Sequence, residues 1–258
     1  MKYLIILVFY LESLNVTSQN DSLPTSFFNE YSKFSVHLGV SKYVGSETSE
    51  LPSTLEYRLK EFISPVLGID YDIFQKNNFN FKLGLNLTLM RDIEWIYLSQ
   101  SETGYAFDYI SFSETSTDGQ WRLSLPITTE YILNSGKNKI SFNSSLIIGY
   151  HKSDGLGYSE FGTVTEDDRI VQLESTYGQK TAPWYFNGQV GVGMYFPFKG
   201  WMLRTNVYYN LAFQKLYEGE FEFKNLQQSP DTSGKLSFKG NSFGVEFSIY
   251  LAKKKKKQ

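Results

Sequence analysis

Between Lys33 and Leu251, apolar side chains recur at every second position in eight separate segments, and no charge falls on those alternate positions. A period of two is the signature of a β-strand, because successive side chains leave a strand on opposite faces. In Phe79-Asn80-Phe81-Lys82-Leu83-Gly84-Leu85-Asn86-Leu87-Thr88-Leu89 the alternation is complete. One face of such a sheet suits hydrocarbon and the other suits a narrow polar interior. The segments run over residues 33–44, 65–74, 79–90, 121–133, 139–151, 184–196, 201–213 and 241–251. Each is close to the roughly 9 to 11 residues that a tilted strand needs to cross a membrane.

The connections alternate in length. Residues 75–78, 134–137 and 197–200 are short and rich in Asn, Gly and Pro, as hairpin turns require. The other four are long, and the second, Arg91 to Gln120, keeps alternation in Trp95-Ile96-Tyr97 and Tyr105-Ala106-Phe107-Asp108-Tyr109. A hairpin rising above the lipid is expected there. Short turns on one side and extended loops on the other are the asymmetry of outer-membrane barrels, and an even strand count puts both termini in the periplasm. The pattern predicts an all-β, eight-stranded antiparallel transmembrane barrel of up-and-down topology.

The ends agree with export. Met1-Lys2 precedes the apolar run Tyr3 to Leu11, which is too short to span a bilayer, and Val16-Thr17-Ser18 offers small residues for cleavage. Residues 1–18 are therefore expected to be a signal peptide, with a first buried strand as the alternative. Residues 19–258 are then a single barrel domain with a short N-terminal lead and a Lys-rich tail. With no cysteine there is no lipid attachment site of that kind, no disulfide and no thiolate metal site. No metal or cofactor is indicated. A net charge of -2 leaves no basic face for nucleic acid.

A soluble lipocalin-like barrel would show the same alternation turned inside out, and the polar face discriminates. That face carries Ser35, Gly39, Ser41, Gly68, Gly84, Asn86, Ser141, Asn143, Ser145, Asn187, Gly191 and Ser248, where a solvated sheet would use long Lys, Glu and Arg. Small residues suit the inside of an eight-stranded barrel. The expectation is that Leu85, Val192 and Phe247 face lipid, whereas Asn86, Gly191 and Glu246 face inward. Trp121, Tyr150 and Trp184 stand at strand ends beside long loops, and Phe79, Tyr131, Phe196 and Trp201 beside short turns. They read as two interface girdles. Pro126 cannot donate to a ladder, so a bulge or kink is expected in its strand.

On these features, and on the final strand Phe243-Gly244-Val245-Glu246-Phe247-Ser248-Ile249-Tyr250-Leu251, the chain resembles the small eight-stranded outer-membrane barrels of Gram-negative bacteria, the OmpA-like and OmpX-like type. The resemblance implies that this strand is read by the barrel-insertion machinery. It implies outer-membrane lipid and lipopolysaccharide as surroundings. The aromatic residues Tyr97, Tyr105, Phe107 and Tyr109 of the second outer loop offer a sheet edge or sticky surface to a protein partner.

Nine ionisable residues fall on the inward face: His37, Asp70, Asp72, Lys82, Arg122, Glu130, Lys139, Arg204 and Glu246. Buried charges persist when paired, so an ion-pair network filling the lumen is expected, with Arg204 beside Glu246 and Lys82 beside Asp70 or Asp72. A selectivity constriction is the alternative. His151 with Ser153 and Asp154 gives an enzymatic alternative, since barrels that modify lipid A place such residues at the outer rim. The outer loops lean acidic at Glu47, Glu102, Asp108, Glu218, Glu220 and Glu222, which reads as a solvated surface. The expected role is non-enzymatic: structural, adhesive or accessory to envelope assembly.

Overall fold

The computed structural model describes residues 30–253 except 45, 50, 61–62, 77, 91–92, 115–119, 136–137, 152–155, 165–169 and 180–182. The expected signal peptide, residues 1–18, and the lysine tail beyond residue 253 lie outside the described residues, as do Ser153 and Asp154.

Eight long strands close into one barrel: β1 (Tyr31–Tyr43), β4 (Ile63–Lys76), β5 (Phe79–Met90), β8 (Gln120–Ser135), β9 (Asn138–His151), β12 (Trp184–Phe198), β13 (Trp201–Ala212) and β16 (Ser242–Ala252). Each pairs antiparallel with its sequence neighbour in the barrel, and β1 closes on β16 from Tyr31↔Ala252 to Tyr43↔Ser242. Closure leaves no barrel edge unpaired, which backbone in hydrocarbon requires. Two residues separate β4 from β5, β8 from β9 and β12 from β13. Gly200, between β12 and β13, has φ of 100°, a left-handed conformation that favours glycine.

The faces settle which solvent the barrel meets. Leu85 is 39%, Val192 50% and Phe247 49% exposed, all on the outer surface, while Glu246 is 8% exposed. The burial of β16 alternates strictly for most of its length, with Phe243, Phe247 and Ile249 outward and Ser242, Glu246 and Ser248 inward. An apolar exterior over all eight strands has no partner in water and is satisfied by lipid. A soluble lipocalin-like barrel, with its apolar set inside, is thereby excluded.

The Pro126 expectation is corrected. β8 pairs with β9 straight through Pro126↔Ile147, and on the β5 side the register is the same before and after the proline, with only the pairs at Gly84 and Leu85 lost. Pro126 points into the lumen beside Gly84, where a Cβ on that glycine would stand 2.7 Å from the proline ring. The missing side chain opposite takes up the ring, so the strand need not bulge. Register shifts fall elsewhere, between Asp72 and Phe74 and between Tyr31 and Ser35.

The four long connections carry more structure than the sequence pattern indicated. β2 (Glu47–Thr48), β10 (Leu156–Val164), β11 (Ile170–Gln179), β14 (Tyr217–Lys224) and β15 (Thr232–Phe238) form a five-stranded sheet in the order β10-β11-β14-β15-β2. β3 (Leu55–Lys60), β6 (Ile93–Leu98) and β7 (Tyr109–Glu114) form a three-stranded sheet, and a short helix, α1 (Gln100–Thr103), joins β6 to β7. The expected hairpin of the second loop is the β6–β7 pair. Its other neighbour, β3, comes from a different connection.

The two sheets share a core. Leu55, Tyr57, Ile96 and Leu98 from the smaller sheet pack with Val171, Leu173, Phe221, Phe223 and Leu236 from the larger. Tyr57 meets Phe221 edge-on, with ring centroids 5.0 Å apart. The connections thus make a cap with its own buried interior, as a sheet with one apolar face demands of its partner. Lys224 bridges Glu174 at 2.9 Å and Glu222 at 3.3 Å on the cap surface.

Glu102 corrects the reading of the outer acids as solvated. It is fully buried and accepts from the Ser229 hydroxyl at 2.5 Å and from the Ser229 and Gln228 amides at 3.1 and 3.2 Å. Burial works to raise its carboxyl pKa, but these donors outweigh it and hold the carboxyl below its ordinary value. The carboxylate ties α1 to the turn between β14 and β15.

Candidate functional site

The inward residues of the barrel stack in layers from the turn end to the cap. Nearest the turns, Tyr31, Ile132, Tyr195, Met202 and Tyr250 form an apolar cluster. They come from β1, β8, β12, β13 and β16, so closure of the sheet alone assembles them. Lys139 on β9, opposite Asn134 and Tyr195 in register, lines the same end.

The next layer is charged. Glu130 on β8 lies 2.7 Å from the Lys82 ammonium and 2.9 Å from Arg204 Nε. The Tyr195 hydroxyl accepts from Lys82 at 2.7 Å and donates to Glu130 at 2.5 Å, and Tyr250 accepts from Lys82 at 3.0 Å. Arg204 also reaches Glu246, Nη1 to Oε1, at 3.5 Å. Lys82 was expected beside Asp70 or Asp72; its close ion-pair partner is instead Glu130 on the neighbouring strand β8, diagonal to it because Lys82 pairs directly with Thr128. Asp72 accepts from Asn80 at 2.9 Å and Gln75 at 3.3 Å, which satisfies it locally. A central carboxylate shared by two cations and a hydroxyl is the arrangement that makes buried charge tolerable.

Beyond it, His37 Nδ1 stands 3.1 Å from Asp70 Oδ2, and His37 Nε2 stands 4.0 Å from Glu246 Oε2. Asn143 donates to Asn206 at 2.7 Å, and Thr128 and Ser145 share a 2.8 Å contact. Gly68 is what lets His37 lie flat against β4, because a Cβ there would come within 2.3 Å of Nε2.

At the cap end, Tyr43, Tyr185, Leu216 and Phe238 pack together. The Arg122 guanidinium sits 5.8 Å from the ring centroids of both Tyr43 and Tyr185. Gly149 makes that possible, since a Cβ there would stand 1.9 Å from the Tyr185 ring. Arg122 therefore belongs to an aromatic stopper rather than to the carboxylate layer. Two cavities of about 40 and 30 Å³ lie between the layers, space for a few waters.

Seven of the nine inward ionisable residues thus meet in the middle layers: His37, Asp70, Asp72, Lys82, Glu130, Arg204 and Glu246. Sequence reasoning missed the tyrosines that serve them. Tyr195, Tyr208 and Tyr250 share inward parity with Gly193, Asn206 and Ser248, so their phase along the strand was the available signal.

On the outer surface, Phe79 contacts Tyr131 at 5.0 Å between centroids and Phe198 stacks on Trp201 at 4.4 Å, both at the turn end. Tyr150 and Trp184 meet at 5.2 Å near the cap, with Trp121 exposed on the same side. Phe196 is half-buried, and Phe198, assigned to the turn by sequence, takes the outer position. Of the rim histidine, the structure describes the backbone, which pairs with Arg122 at the end of β9.

A closed barrel with an apolar belt and a side-chain-filled polar lumen defines a transmembrane β-barrel protein of the small, eight-stranded outer-membrane type. No family model and no curated protein matches the chain. Among solved structures it is similar to the outer membrane protein OprG from Pseudomonas aeruginosa at 8% identity, covering 86% of this chain and 97% of that one with a TM-score of 0.40. Neisserial surface protein A is 13% identical, with 86% and 97% covered and a TM-score of 0.36. The outer membrane protein AlkL is 13% identical, with 93% and 99% covered and a TM-score of 0.35.

Proposed function

We propose that this barrel is a non-enzymatic outer-membrane protein that works through its cap, in a structural, adhesive or envelope-accessory role. The carrying observation is the division of labour between the two halves. The lumen is packed with side chains from the Tyr250 cluster to the Tyr185 stopper. The long connections, in contrast, build a second hydrophobic core outside the barrel.

A barrel that serves only as an anchor needs no such cap, since short loops close a barrel equally well. The α1–β7 segment also presents Phe107, 67% exposed, stacked on Tyr105 with centroids 5.8 Å apart. Exposed rigid aromatics are favoured contact residues. In this reading both termini lie in the periplasm, the barrel-insertion machinery recognises β16, and lipid and lipopolysaccharide surround the belt.

The test compares intact cells carrying the full chain with cells carrying a barrel whose four long connections are replaced by short turns. Protease added outside should remove the cap from the full chain, and the trimmed barrel should insert but fail to restore attachment or envelope integrity to a deletion strain. A deletion strain with an altered lipid A acyl profile would replace this reading by an enzymatic one.

A further inference from the structure

We infer that the middle of the lumen holds a divalent transition-metal ion, bound by His37 Nε2, the Glu246 carboxylate and Asn86 Oδ1, with Asp70 orienting the histidine. The site goes beyond the cap-based role proposed above and does not depend on it.

The convergence of acceptors carries the inference. His37 Nδ1 faces Asp70 Oδ2 at 3.1 Å, and that contact places the ring proton on Nδ1. In the neutral ring Nε2 then carries a lone pair; it is buried and faces Asn86 without a hydrogen bond of ordinary geometry. Asn86 Oδ1 is likewise buried without one. Both atoms converge on the space that Gly68 leaves open, since a Cβ there would meet Nε2 at 2.3 Å and Asn86 Oδ1 at 2.5 Å. Glu246 Oε2 approaches from the neighbouring strand β16, 4.0 Å from Nε2. Three electron-rich atoms turned on one another repel unless something positive lies between them.

The donor set selects the class of ion. One imidazole nitrogen with two oxygens suits zinc and its neighbours better than calcium or magnesium. A tetrahedral ion with bonds of about 2.1 Å would hold Nε2 and the Glu246 oxygen about 3.4 Å apart. Glu246 must therefore move by about half an ångström, and the cavity of about 30 Å³ lined by His37, Asp70, Asn86 and Glu246 leaves room for that and for a water ligand. Asp70 on the far ring nitrogen completes a carboxylate–histidine–metal relay.

The facing charges are mixed. Arg204 Nη1 lies 3.5 Å from Glu246 Oε1 and opposes a cation. Lys82 and Arg204 nevertheless make their shortest ion pairs with Glu130, at 2.7 and 2.9 Å. The ligands come from β1, β5 and β16 and the orienting Asp70 from β4. No sequence spacing reveals a set that only closure brings together.

The full chain, folded in detergent, is titrated with zinc by calorimetry and with cobalt by its visible absorption. One zinc per chain is expected. Asp70→Asn should weaken it about 10- to 100-fold, Glu246→Gln and His37→Gln should abolish it, and His151→Ala should leave it unchanged. Heat-modifiable migration reports whether each variant is folded. Should His37→Gln fail to fold, nitrogen-15 spectra of the wild-type His37 ring decide: zinc should shift Nε2 to a metal-bound position while Nδ1 keeps its proton. No saturable zinc uptake, uptake that survives His37→Gln, or an Nε2 signal indifferent to zinc would overturn the site, leaving a proton or a turned-over Asn86 amide as what Nε2 faces.

Discussion

Glu130 is the residue on which the lumen depends most. It is fully buried and faces both Lys82 and Arg204, so removing it leaves two cations without their shared counter-charge. Breaking a buried pair from one side costs about 3–5 kcal/mol. Glu130→Ala is therefore expected to lower the temperature at which the detergent-folded barrel loses its compact gel migration, by more than Arg204→Ala does; an unchanged transition would show that the lumen charges contribute little. On the opposite face, Leu85→Lys sets a charge at the middle of β5 against lipid, at about 2–4 kcal/mol. Unfolding in lipid vesicles should register that loss, and an aqueous exterior would not. The inward or outward sense of both positions was legible from parity, because a strand gives each side chain only two directions. Which carboxylate Lys82 would choose was not legible: Asp72 on β4 is its direct cross-strand partner, Glu130 on β8 stands diagonal to it on the other side, and alternation places both within reach without ranking them.

At the scale of elements, the barrel strands were legible to within about two residues at each end and the cap strands were mostly not. β1 to β16 of the wall alternate because lipid and lumen enforce a period of two over the whole length of each strand. The strands of the cap are short, and their apolar residues serve a core shared among four connections. β3, for example, pairs with β6 from the next connection. Glu102 shows the same limit. Its sequence neighbourhood, Ser99-Gln100-Ser101 and Thr103-Gly104, is polar, yet it is buried as an acceptor for the β14–β15 turn. Because its carboxyl titrates lower when folded than when unfolded, it contributes stability above the ordinary carboxylate range, and that contribution is lost as pH falls through the folded value. Protease cleavage at residues 227–231 should accordingly rise in acid. Glu102→Gln should be cleaved readily at neutral pH with little further change on acidification, and a wild-type turn equally resistant at both would remove Glu102 from this role.

For the whole molecule, a lumen closed by the Tyr31–Tyr250 cluster at one end and the Tyr43–Tyr185 stopper at the other should not conduct. Planar bilayers carrying the folded chain are expected to show no steady ion current, and a stable open level would mean that these plugs do not seal. The barrel and the cap also have separate hydrophobic clusters, so a barrel trimmed of its four long connections should keep its heat-modifiable migration. By itself the sequence determined the wall: the strand number, their antiparallel order, and which face meets lipid. Those follow from a two-fold period and from the expense of charge in hydrocarbon, both local properties of each segment. Only the tertiary structure decided how Lys82, Arg204 and Glu130 share their contacts within the lumen, the close approach of His37, Asn86 and Glu246, and the folding of four loops into one cap. Each of those depends on residues from strands far apart in the chain, whose distances are set when the sheet closes on itself.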